Sequence, residues 1–477
     1  MLPRMNMFMG LRLLVTLLSL ITLTSASNIT TKIVTTLPGY SGDLPFTMET
    51  GYIGVGDNEE VQLFYVFVES QRSPAQDPLV LRFGAGPGCS GLHGFFFENG
   101  PLSFNSAHYN GSLPTLEDNP YSWTEALNII FLDAPAGAGF SYSTTQEGYY
   151  VDEYKYAEQG YEFLQKWLEA HPAYVENQLY ISGESFSGLI VPMIVQKIVD
   201  GNENGSVPLM NIKGYLLQNP VTDSVIDGNA IIPYVHRQTL VSDQLYEAAK
   251  TSCNGEYVNV NSSNAACIAD IEAIDQLIKD INYVNILEPD CSTSLPRSKK
   301  ISTARRYLKE LYKGLLSSPT NGPALWCREY NYMLLYIWAN TKAVRDALGV
   351  RTGTKLLWKP CNTTLTGYTY VVTSSLSYHL NLSKKADLRA LIYSGDHDMS
   401  VPHIGTQAWI NLLHLTVDES WRTWSLDGQT KGYTKKLIND YITLIFATVK
   451  GAGHLAAEYQ PKEVASLVGR WMAYYPV

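Results

Sequence analysis

The sequence predicts an α/β fold, a largely parallel sheet covered by helices and interrupted by one helical insertion. Three observations predict it. Short apolar runs rich in Val, Ile, Leu, Phe and Tyr alternate with helix-like segments through most of the chain. Three of these runs lead, in chain order, into turns holding Ser185, Asp396 and His454. Between about residues 221 and 340 the apolar runs give way to helical spacing.

Val61 to Val68 is the first strand, because its β-branched and aromatic content suits a buried pleated surface. Leu79 to Phe83 is the second and ends in the turn Gly84-Ala85-Gly86-Pro87-Gly88. Ile129 to Leu132 follows and runs into Asp133; Tyr156 to Leu168 reads as a covering helix. Leu179 to Ile181 leads into Gly183-Glu184-Ser185-Phe186-Ser187-Gly188, and an apolar helix runs from Leu189 to Ile198. Tyr215 to Leu217 precedes the insertion, where Ile268, Ile271, Ile274, Leu277 and Ile278 fall at helical spacing and are expected to pack as a core stripe. Leu391 to Tyr393 leads to Ser394-Gly395-Asp396-His397-Asp398, and Leu444 to Val449 leads to Gly451-Ala452-Gly453-His454.

The bulk numbers agree with a folded, secreted protein. A chain of 477 residues with 45% hydrophobic and 17% charged residues holds one large domain with an insertion, or two to three smaller ones. Its net charge of −10 argues against general nucleic-acid binding. Residues 1–27 read as a signal peptide: Arg4 and Arg12 supply positive charge, Leu13 to Leu23 is apolar, and Ser25-Ala26-Ser27 offers small residues for cleavage. That apolar stretch is too short to span a bilayer, so no stable membrane insertion is expected. Six cysteines in an oxidising compartment favour three disulfides, with fifteen possible pairings. No Cys/His spacing suggests zinc, and no metal is expected. Sequons at Asn110, Asn204, Asn261, Asn362 and Asn381 agree with secretion; Asn28, at the cleavage point, is the weakest.

Ser, Asp, His is the chain order of the α/β-hydrolase fold. A serine hydroxyl is a weak nucleophile until a base takes its proton. Ser185, between a strand and an apolar helix, is the expected nucleophile; Ser187 replaces the last glycine of the Gly-x-Ser-x-Gly pattern. His454 is the expected base. Asp396 is preferred over Asp398 as its partner because it directly follows the strand and Gly395. The expected oxyanion donors are the N–H groups of Phe186 and Gly86. Glu98 and Glu184, if they meet near the serine, would share a proton and favour function at acidic pH.

These motifs, with Gly86-Pro87-Gly88-Cys89-Ser90 and Phe140-Ser141-Tyr142-Ser143, resemble the serine carboxypeptidase family from about Ile33 to Trp471. Within it, Ile286-Leu287-Glu288-Pro289-Asp290-Cys291, Asp396 to Pro402 and Thr406-Gln407-Ala408-Trp409-Ile410 are similar to the plant serine carboxypeptidase-like acyltransferases. The resemblance implies an α/β-hydrolase domain over 28–477 with a helical cap at about 221–340. It implies transfer of an acyl group from a 1-O-β-acylglucose through the serine to an alcohol or amine, without a cofactor, in the vacuole or outside the cell. It also implies the pairings Cys89–Cys361, Cys253–Cys267 and Cys291–Cys327, and excision of a linker at about 297–320 to leave two disulfide-linked chains. Composition alone makes Arg297 to Lys313, with seven Lys or Arg and the single acid Glu310, a solvated helix face.

Two departures bear on substrate. The peptidases usually carry Asn-Gly-Gly-Pro-Gly, where this chain has Gly84 and Ala85 first. In the peptidases that Asn, with glutamates matching Glu98 and Glu184, holds a terminal carboxylate, so its loss disfavours exopeptidase action. Many acyltransferases have Asp where this chain has Glu184, which leans back toward a carboxypeptidase.

Overall fold

The computed structural model describes residues 29–107, 109, 111–289, 328–365, 367–385 and 387–477. The strands among them are β1 (Thr30–Ile33), β2 (Met48–Val55), β3 (Val61–Val68), β4 (Leu79–Phe83), β5 (Leu102–Phe104), β6 (Leu116–Asp118), β7 (Asn128–Leu132), β8 (Tyr142–Ser143), β9 (Leu179–Glu184), β10 (Ile212–Gln218), β11 (Leu388–Gly395), β12 (Thr416–Leu426), β13 (Gln429–Ile438) and β14 (Ile442–Val449). One 12-stranded sheet runs β1-β2-β3-β7-β4-β9-β10-β11-β14-β13-β12, with β8 beside β3; β5 and β6 form a separate pair. Its centre, from β7 to β14, is parallel, and both margins are antiparallel. This is an α/β-hydrolase fold.

Helices cover both faces, which explains the nearly unbroken apolar runs of the central strands. Leu79, Leu81 and Phe83 pack against one side with Phe163, Trp167, Ile190 and Ile194 from the helices Glu153–Ala170 and Ser187–Glu203. Val80, Leu216 and Leu391 face the other way, toward Phe95, Trp338 and Trp471. The antiparallel margin β12–β13 left little trace in the sequence because β12 is largely exposed and polar. In β2, Gly51 and Gly54 interrupt the apolar run.

Among the described residues between β10 and β11 the regular elements are helical. Ile232, Tyr234, Val235, Val241, Ala249 and Ile274 from this region form a small core of their own with Met399, which follows β11. The disulfide Cys253–Cys267 joins the helices Asp243–Cys253 and Ala265–Ile278. The expected isoleucine stripe is only partly a core: Ile274 is fully buried, while Leu277 is 55% exposed. The helix Glu329–Ala339 belongs to the main body, where Trp338 donates to Pro38 O at 2.6 Å.

Cys89–Cys361 staples the Gly-rich turn to a distant loop, the pairing that the resemblance implies. Cys291, Cys327, the basic stretch, the leader and Asn110 lie outside the described residues. Asn204, Asn261 and Asn381 are exposed, whereas Asn362 is half-buried with its Nδ2 on Gly137 O at 3.3 Å. Among the described residues, no helix is long and apolar enough to cross a membrane.

Candidate active site

The parallel register aligns the carboxyl ends of β9, β10, β11 and β14, pairing Gln218 with both Glu184 and Tyr393 and Gly395 with Val449. Loops leaving those ends meet at one point, the usual place for a site in such a sheet. Ser185 follows β9 at φ +51°, a backbone state that a non-glycine residue adopts only when its surroundings enforce it. They do: Ser185 N donates to Gln218 O at 3.0 Å, and Ser185 O accepts from Gly188 N and Val221 N, both at 2.9 Å. A Cβ at Gly188 would collide with Val221 O, so this close approach requires glycine. Ser187, the departure from the usual elbow pattern, donates its hydroxyl to Gly84 O at 2.5 Å.

Ser185 Oγ lies 2.7 Å from His454 Nε2, and His454 Nδ1 lies 2.8 Å from Asp398 Oδ2. The partner of the histidine is therefore Asp398 rather than Asp396. The strand pairing persists to Gly395, so Asp396 still lies beside the β14 turn and spends its Oδ1 on Gly451 N and His397 Nδ1, at 2.7 and 2.6 Å. The chain goes two residues further before a carboxylate comes under the imidazole. Asp398 is fully buried; its Oδ1 accepts from Ser400 N and Val401 N, and its Oδ2 from Asn219 Nδ2 at 2.7 Å. Asn219 sits at φ +43°, a state asparagine tolerates better than most residues. Burial pushes the His454 imidazole down, but the Asp398 charge, its hydrogen bond and the more distant Glu98 outweigh this and hold it above its ordinary value. The base therefore titrates above its ordinary value, which runs against the acidic optimum expected from Glu98 and Glu184.

The two expected oxyanion donors are not an open pair. Phe186 N donates to Ala85 O at 2.8 Å.

Glu98 and Glu184 do meet, and Arg82, an interior residue of β4, lies between them. Arg82 Nη2 is 2.7 Å from Glu98 Oε2 and 3.0 Å from Glu184 Oε2, and all three side chains are buried. Gln218 Nε2 donates to the same two oxygens at 3.2 and 3.0 Å. Burial disfavours the Glu98 charge, but Arg82, with hydrogen bonds from His93 and Glu184, holds the carboxyl well below its usual range. Burial and the Glu98 charge push Glu184 far up, so it carries the proton of the pair. His93, Glu98 and Glu184 offer ligand atoms within 4.8 Å of one another. The Arg82 guanidinium already supplies the positive charge there, so the cluster is an ion-paired one.

Comparison with known proteins fits this geometry. The family profile described as Serine carboxypeptidase, Peptidase S10, matches residues 38–474. The chain is 42% identical to Serine carboxypeptidase-like 13 of Arabidopsis thaliana over 94% of this chain and 95% of that one. It is 43% identical to Serine carboxypeptidase-like 10 of the same plant, over 93% and 95%. Among solved structures it resembles the Saccharomyces cerevisiae Kex1 prohormone-processing carboxypeptidase, with a TM-score of 0.66, 17% identity, and 90% and 91% of the two chains covered. At that identity the structural likeness speaks to the fold.

Proposed function

The chain belongs to the serine carboxypeptidase family, and from that premise we propose that it is an acyltransferase working through a seryl acyl-enzyme. Ser185 gives its proton to His454 Nε2 and attacks the ester carbonyl of a 1-O-β-acylglucose. Asp398 stabilises the imidazolium and fixes its tautomer. Collapse of the tetrahedral intermediate breaks the bond to glucose, which leaves with the proton from His454. An acceptor alcohol or amine then gives its proton to His454 and takes the acyl group, restoring the serine. A positioned acceptor outcompetes water through its high effective concentration.

The observation that carries the reading is Arg82. A peptide's terminal carboxylate is costly to desolvate and needs donors waiting for it. Here the Oε2 atoms of Glu98 and Glu184 are both engaged by Arg82 and Gln218, which leaves only Glu184 Oε1 without a partner, and Gly84 offers no side-chain donor. Glucose has no carboxylate to lose. We also propose that the protein follows the secretory route to the vacuole or the cell exterior, a reading its disulfides support.

The test is parallel product analysis with 1-O-acylglucoses plus an acceptor panel, and with blocked dipeptides. Transfer products with slow hydrolysis are expected, together with a mass shift on Ser185 that Ser185→Ala abolishes. Gly84→Asn, where a Cβ meets nothing closer than 3.5 Å, should raise any peptidase activity more than transfer. Efficient release of C-terminal residues without transfer would establish the carboxypeptidase reading, which Glu184 favours.

A further inference from the structure

The amide that follows the nucleophile is not idle in this structure. Phe186 N–H, the amide that serves the developing oxyanion in an α/β-hydrolase elbow, is held by Ala85 O at 2.8 Å. The loop is held on one side of that contact by the elbow, where Gly84 O accepts from Ser187 Oγ at 2.5 Å, and on the other by its own turn, where Gly86 O accepts from Cys89 N at 3.0 Å. A donor already bound to a carbonyl must give up that bond before it serves a tetrahedral intermediate.

We propose that the Ala85–Gly86 peptide is a plug in the oxyanion site and turns over when an acyl donor binds. The inference rests on Ser185 being the nucleophile. Turning one peptide plane by about 180° changes only ψ of Ala85 and φ of Gly86, the two soft dihedrals that flank it. The turn withdraws Ala85 O from Phe186 N–H and brings Gly86 N–H to the place the carbonyl held. One movement uncovers the first donor and delivers the second. Gly86 now lies outside the left-handed region, unlike Gly88 at φ +94°. Turning the plane carries Gly86 into that region, which glycine enters at no steric cost and other residues do not. Ala85 keeps its φ, so a side chain is tolerated there. Glycine at 86 is thus needed for the movement and not for the resting state. A Cβ on it would meet only Cys89 Sγ, at an ordinary 3.6 Å. The Cys89–Cys361 disulfide anchors the far end of the turn and confines the change to this peptide.

Gly86→Ala separates the plug from a fixed hole. The variant is expected to keep the wild-type melting temperature and to bind benzyl β-D-glucoside, which has no carbonyl, as wild type does. It is expected to lose about 10²–10³-fold in kcat and a similar factor in affinity for phenylboronic acid, which forms an anionic tetrahedral adduct on serine. Undiminished turnover and boronate affinity overturn the proposal. So does equal loss of glucoside and boronate binding, which would mean simple steric blocking. In wild-type protein labelled with 15N-phenylalanine, the Phe186 amide resonance should move at saturating boronate; an unmoved resonance also overturns it. End-point labelling by diisopropyl fluorophosphate tests the premise separately. An unlabelled Ser185 removes the nucleophile assignment and the plug with it, whereas a labelled Ser185 with unchanged Gly86→Ala kinetics removes the plug alone.

Discussion

Replacing Asp398 by Asn tests which carboxylate serves the histidine. Oδ1 of Asp398 accepts from two backbone donors, Ser400 N at 2.7 Å and Val401 N at 3.1 Å. The amide oxygen of the substituted side chain must therefore stay on that side. Its NH₂ then faces His454 Nδ1 and Asn219 Nδ2, which at present both donate to Oδ2, at 2.8 and 2.7 Å. The imidazole relieves the clash by presenting a bare Nδ1, which moves its proton to Nε2, the atom facing Ser185 Oγ. A protonated Nε2 cannot accept the serine proton. Loss of the correct tautomer in a serine triad costs about 10⁴ in kcat, or about 5.4 kcal/mol at 1.36 kcal/mol per tenfold. Asp396→Asn disturbs only a partly exposed pair with His397 and one bond from Gly451 N. Pairs of that kind contribute about 0–1 kcal/mol, so its loss in kcat should stay below about tenfold. Both variants are compared by steady-state kinetics on one acyl donor, with circular dichroism to confirm folding. An Asp396→Asn loss equal to or greater than that of Asp398→Asn would refute the assignment.

The acid limb of kcat/KM should lie above pH 6.5, because activity needs neutral His454 and its pKa is raised above that ordinary value; activity falls as pH drops through the raised pKa. A limb well below pH 6.5 would contradict it. Arg82→Met should cost about 3–5 kcal/mol near neutral pH by leaving a buried carboxylate without its cation. Since Glu98 is depressed in the folded protein, the stability it contributes is present above its ordinary pKa and lost as pH falls through the folded value; denaturant melts should therefore show the variant's deficit shrinking toward acid, and a constant deficit would count against the ion pair. Protein from native tissue should give two chains on reducing gels and one species without reductant, given the basic stretch between Cys291 and Cys327; an intact reduced chain would argue against excision.

Much of this was legible in the sequence because local chemistry announces it. The Ser185 elbow and the His454 turn each lie within a few residues of an apolar strand, and strand–turn–helix spacing is a local signal. The central strands read correctly because both of their faces are buried. The margin did not, since β12 pairs on one side only and shows water a polar, exposed strand. Asp396 misled for a geometric reason. It and Asp398 sit in the same turn, and only the path of the chain past Gly395 shows which of them passes beneath the imidazole.

The residues that set the site's electrostatics were invisible for a different reason. Arg82 is an interior residue of β4, where a charge interrupts an apolar run and looks like an error of pattern. Its meaning depends on sheet register: β4 pairs Arg82 with Ser182 of β9, and β10 pairs Gln218 with Glu184. Glu98 comes in from the end of a short helix on the other side. No window of sequence contains these groups together, for Gln218 is 120 residues from Glu98 and Arg82 is 102 from Glu184. The resemblance supplied the two glutamates without their cation, and so suggested a proton-sharing pair open to a substrate carboxylate. The guanidinium changes that logic. With Arg82 in place, one carboxylate stays charged and the other protonated without any ligand, so the pair is already at rest when substrate arrives. With its charge already balanced by Arg82, the cluster offers an incoming carboxylate only the unpartnered Glu184 Oε1, and the choice of substrate passes largely to the groups that touch the acyl carbon and to whatever acceptor reaches it first.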